Sequence, residues 1–125
     1  MGCGGDGISV RIEFLWFDDC PNHHDARALL DAVLAERGID VPIESVNVPD
    51  LTTGERVRFP GSPTIRIDGV DVDPGFVDEG DYTPRCRVYA TSEGLRGVPE
   101  RGWIEAAIDT ASDTASDAAA APSET

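Results

Sequence analysis

Lysine is missing from the chain: all ten basic side chains are arginine, they face 24 acidic ones, and the net charge is −14. A surface of that sign repels phosphate backbones and anionic lipid, so nucleic acid and membranes are excluded as expected partners. Long apolar runs are missing too. No stretch approaches the roughly 18 residues of a membrane span. Met1–Gly7 is too short and too polar for a secretory signal, and Asp6 stands where a myristoylation pattern needs Ser or Thr. The expected location is therefore the cytosol. An acidic, lysine-free surface suits a halophilic cytosol, where salt screens self-repulsion, and an ordinary acidic protein from a GC-rich genome has the same composition.

Cysteine is scarce as well. Three thiols (Cys3, Cys20 and Cys86) in a reducing compartment do not make a disulfide framework, and an odd number leaves one unpaired. Their role is then chemical or a matter of packing. With 125 residues and 40% hydrophobic content there is material for one core.

Alternating Ile8, Val10, Ile12 and Phe14, followed by Leu15, Trp16 and Phe17, predict a central strand over 8–17. Ala26, Leu29, Leu30, Val33 and Leu34 predict a helix over 23–37, with Asn22 as its cap and Gly38 at its end. Val41–Val48 reads as a second strand, parallel to the first through a right-handed crossover. Pro49–Phe59 reads as a short helix or turn. Thr64–Ile67 and Val70–Val72 flank Asp68-Gly69, a hairpin signal. Gly75–Gly97 shows little periodicity and reads as a long functional or covering loop. Trp103, Ile104, Ala107 and Ile108 predict a final helix over 99–108. Residues 1–7, rich in glycine, are expected to be flexible, residues 8–108 to form one domain, and the Ala/Ser/Thr/Asp tail over 109–125 to be disordered.

Cys20 directly follows the first strand and directly precedes the first helical turn, where free N–H groups and the helix dipole favour a thiolate. The plain alternative is a small buried residue closing a strand. Three positions on stands His23, which can stabilise a thiolate or join it as a metal ligand, although adjacent His23 and His24 in a first turn are also ordinary solvated residues. Pro63, in Gly61-Ser62-Pro63-Thr64, precedes the hairpin and can be cis or an ordinary trans proline. Cys86 lies between Arg85 and Arg87, which are expected to favour its thiolate. The loop before it is long enough to bring it to Cys20, for a disulfide or for soft-metal binding; a packed cysteine on a short strand is the alternative. Cys3, among glycines, reads as incidental.

FDDCPNH after the first strand and GSPTIRIDG at the hairpin resemble the redox motif and proline loop of the thioredoxin-like superfamily. The resemblance spans 8–108. It implies an α/β fold with a mixed four-stranded sheet, ordered β-α-β, connector, β-β-α, with flanking helices. It also implies that Pro63 packs beside Cys20, and that Ser62 and Thr64 offer backbone to a bound thiol or peptide. His23 replaces the resolving cysteine of the ordinary dithiol motif, which departs from the family pattern. Together with CRVY and GLRGVPERGWIEAAI, the same motifs resemble small thioredoxin-like proteins labelled alkylmercury lyase-related, for which Cys20, Cys86 and Asp18 or Asp19 would be the matching thiolates and acid.

Three functions follow as expectations. One is thiol-disulfide exchange through Cys20, resolved by Cys86, on a small-molecule or protein thiol or disulfide, with no cofactor required. The second is binding of mercury, copper or zinc through Cys20, Cys86 and His23. The third is an interaction domain that kept the fold and lost the chemistry.

Overall fold

The computed structural model describes residues 10–120. The flexible stretch expected over 1–7, with Cys3, and the last five residues of the expected tail lie outside them. The chain folds as an α/β protein: β1 (Ile12–Trp16), α1 (Asn22–Glu36), β2 (Ile43–Asn47), α2 (Leu51–Val57), β3 (Thr64–Ile67), β4 (Val70–Asp71), β5 (Tyr89–Thr91), β6 (Gly94–Arg96) and α3 (Arg101–Ala120). The main sheet has four strands in the order β2-β1-β3-β4. β1 runs parallel to β2, with Phe14 opposite Ser45, and antiparallel to β3, with Phe14 opposite Ile65. β4 closes the other edge as an antiparallel hairpin arm. Its turn places Asp68 at φ 54° and Gly69 at φ 82°, the left-handed pair that a two-residue hairpin of this type demands.

The period-two pattern of β1 divides the core. Ile12 and Phe14 face a large cluster with Leu30 and Val33 of α1, Ile65 and Ile67 of β3, and Ile104 and Ile108 of α3. Leu15, pointing the other way, joins Val48 and Phe59 in a smaller cluster with Val57 of α2. Helices thus flank the sheet on both faces. Asp50 caps α2, its carboxylate accepting from Thr53 N–H at 2.9 Å, which makes the weakly patterned connector helical.

Three elements differ from the expectation. Asn22 does not cap α1; the cap position falls to Pro21 with no side-chain bond, and Asn22 instead lies against Gly97, where an added Cβ would sit 2.1 Å from its amide nitrogen. The long loop contains the β5–β6 hairpin, a separate two-stranded sheet. The final helix continues beyond Ile108 to Ala120. Alanine favours helix, Ala111 is buried against the core, and Asp109 accepts from Arg37, so the head of the expected tail is tied to the body.

Candidate functional site

Cys20 leaves the turn after β1, where its N–H bonds Phe17 C=O at 3.0 Å, and enters the start of α1 fully buried. Its thiol donates to the carbonyl of Ser62 at 3.4 Å. The Ser62–Pro63 peptide bond is cis. Ser62, Pro63 and Thr64 are all buried, and the Cys20 thiol contacts the carbonyl of this cis bond.

The segment carrying Cys86 is laced to the other side of that turn. Ser62 N–H donates to Arg85 C=O at 2.7 Å and Arg87 N–H donates to Ser62 C=O at 2.8 Å, an isolated parallel bridge between Ser62 and Cys86. Gly61 is needed for this approach: at φ 130° a side chain is strained, and an added Cβ would meet the Cβ of Arg87 at 2.9 Å. Cys86 is exposed and Cys20 is not. The two thiols are neighbours across Ser62, and the Cys20 thiol beside it, followed by partial burial and the Cys20 charge, pushes the Cys86 thiol above its ordinary range.

The expected help from flanking arginines is absent. Successive side chains of an extended segment point to opposite sides. Arg85 turns to Asp81 at 3.1 Å, while Arg87 makes a two-pronged pair with Asp71 at 2.7 and 3.1 Å. Arg87 also donates to Thr64 Oγ1 at 3.0 Å and stacks over Tyr89, 4.3 Å from the ring centre. Tyr89 in turn donates its hydroxyl to Pro63 C=O, and Thr64 donates to Gly61 C=O at 2.6 Å. Arg87, Asp71 and Tyr89 therefore clamp the Cys86 segment onto the Ser62–Pro63 turn. Sequence reasoning missed this clamp because an Arg–Asp pair reads as surface charge until burial is known. The available signal was Arg87 and Tyr89 alternating within RCRVY, two polar-tipped side chains on one face.

His23 takes no part in this cluster. Its ring lies 4.7 Å from Trp16 and 4.1 Å from His24, and burial, with the neighbouring His24 charge, lowers its pKa against a smaller opposing pull from Asp18. Among the described residues no group of three or more His, Cys, Asp or Glu is arranged to hold a metal ion. The expected ligand set of Cys20, Cys86 and His23 is thus not assembled, because His23 is held by aromatic stacking. Asp18 and Asp19 are both exposed in the turn before Cys20. Among the described residues no helix is long and apolar enough to cross a membrane.

In comparisons with known proteins, no family model, curated protein or solved structure matched the chain.

Proposed function

We propose that this protein is a thioredoxin-like thiol protein that carries out thiol-disulfide exchange through the pair Cys20 and Cys86. One observation carries the reading: two cysteines 66 positions apart in sequence lie against the same buried residue, Ser62, the Cys20 thiol on its carbonyl and the Cys86 backbone bridged to it. The sheet order β2-β1-β3-β4 and the position of Cys20 between β1 and α1 support the finer fold assignment.

Exposure favours an order opposite to the one expected from sequence. A substrate disulfide reaches Cys86 first, because Cys20 has no surface open to solvent. Cys86, as thiolate, forms a mixed disulfide. Cys20 then attacks the Cys86 sulfur, releases the second substrate half and leaves a Cys20–Cys86 disulfide. Because Cys86 holds its proton above the ordinary range, the first step speeds up as pH rises.

With His23 elsewhere, the metal reading reduces to two-thiolate ligation of a soft ion, which the adjacency of Cys20 and Cys86 also favours. Turnover of a small disulfide in the presence of an external dithiol separates the readings, using the chain with Cys3→Ser. Turnover is expected for Cys3→Ser alone; with Cys20→Ser added, treatment with the disulfide in the absence of the dithiol should stop at a mixed disulfide on Cys86; with Cys86→Ser added, no reaction is expected. Undiminished turnover with Cys86→Ser would defeat the exchange reading.

A further inference from the structure

We infer that the cavity bordering Cys86 is the substrate pocket of this two-thiol pair, and that it selects a small disulfide bearing positive charge. The inference rests on the exchange reading above and adds the chemical class of the substrate. The cavity measures about 300 Å³, and Cys86 forms part of its wall with Phe76, Glu79, Tyr82 and Arg85. That volume is at the lower end for small-molecule sites. It fits a compact disulfide.

Charge makes the selection. Four carboxylates line the cavity (Asp73, Asp78, Glu79 and Asp81) against the two guanidiniums of Arg85 and Arg87. Neither guanidinium is free for an anionic substrate. Arg87 is held by Asp71, and Arg85 is held by Asp81 and also donates to Pro60 C=O at 3.4 Å. Asp78 is satisfied by Arg58 at 2.6 Å and by the Tyr82 hydroxyl. Asp73 accepts from Gly75 N–H at 2.8 Å and has Arg87 only at 3.6 Å, a guanidinium already committed to Asp71. Glu79 makes no ion pair or hydrogen bond among the described residues. A substrate ammonium would therefore find Glu79 open and Asp73 without a close ion-pair partner, while a substrate carboxylate would meet only paired arginines and net negative charge.

The chemistry balances without a cofactor. Cys86 thiolate forms a bond to one substrate sulfur as the substrate S–S bond breaks, and the departing thiolate takes a proton from water. Cys20, as thiolate, then bonds to the Cys86 sulfur and expels the second half, which is protonated likewise. The protein pair is oxidised by two electrons and the disulfide is reduced to two thiols. An external dithiol is needed only for a second turnover.

The test is single-turnover oxidation of the reduced Cys3→Ser chain by three disulfides: cystamine, carrying two ammonium groups; bis(2-hydroxyethyl) disulfide, neutral; and dithiodiglycolate, carrying two carboxylates. Rates are referred to those of the same chain unfolded in urea, which removes intrinsic reactivity and much of the effect of net charge. Relative to that reference, cystamine is expected to react about tenfold faster than the neutral disulfide at low salt, with dithiodiglycolate slowest. Glu79→Gln should shrink the cystamine advantage and leave the neutral rate unchanged. Asp40→Asn, in the turn between α1 and β2, should leave all three rates unchanged. Oxidation by all three at relative rates independent of charge, or an advantage equally reduced by Asp40→Asn, would overturn the pocket while leaving exchange intact. If none of the three links Cys20 to Cys86, the exchange reading itself is overturned, and the pocket with it.

Discussion

Replacing Arg87 with Met should unfold the site before it changes any chemistry. The Arg87 and Asp71 side chains are 8% and 3% exposed, joined by two hydrogen bonds. Burial alone would lower the Arg87 pKa, and the Asp71 hydrogen bond and the surrounding charges outweigh it, leaving it raised. Without the guanidinium, Asp71 becomes a buried charge with no partner, and Thr64 and Tyr89 lose their contacts with it. Breaking such a pair from one side costs about 3–5 kcal/mol, a large share of the roughly 5–15 kcal/mol that holds a domain together. At about 3–6 °C per kcal/mol, between the values for 60–100-residue and 150–250-residue domains, Tm should fall by roughly 10 °C or more. Urea unfolding followed by the fluorescence of Trp16 and Trp103 gives the free energy. Arg87→Met with Asp71→Leu should recover much of the loss, because an apolar pair leaves no charge stranded. A single variant within about 1 kcal/mol of the parent, or a double variant no better than the single, would refute the clamp.

Other outcomes follow from the same geometry. Tyr89→Phe strands the Pro63 carbonyl and should cost about 1–3 kcal/mol by urea titration. Burial raises the Tyr89 pKa, so the parent's stability should decline as pH climbs above ~10 towards the folded-state value, and the Phe variant should lack that component of the decline. Removing the Cys20 thiol removes the largest cause of the raised Cys86 pKa, so Cys20→Ala should speed iodoacetamide alkylation of Cys86 at neutral pH rather than slow it. His23→Ala should leave disulfide turnover within about twofold, since its ring lies on Trp16 away from the thiols. With 24 acidic residues against ten basic ones, Tm should rise in molar KCl; an unchanged Tm would count against adaptation to salt.

Local periodicity made much of the fold legible. The alternation of Ile12, Phe14 and Leu15 set the two faces of β1, the Leu30 and Val33 spacing set α1, and Asp68-Gly69 announced its turn. The pairing of Cys20 with Cys86 was legible only as an option, because the loop between β4 and β5 carries no pattern that fixes where it returns. Thiolate support for Cys86 was misread because neighbours in sequence were treated as neighbours in space, whereas the extended backbone sends Arg85 and Arg87 away from the sulfur between them. The β5–β6 hairpin escaped notice because β6 carries Leu95, an exposed residue, where a buried strand would show alternation. His23 kept its promise in sequence only until Trp16, a residue of a different element, claimed its ring.

Peptide mapping of the full chain with Cys3→Ser, oxidised under native conditions by a small neutral disulfide, reads most directly whether the two sulfurs act as a pair. One crosslinked species joining the Cys20 and Cys86 peptides, formed through a transient adduct on Cys86, is the expected result. A stable adduct on Cys86 with Cys20 still reduced would contradict it.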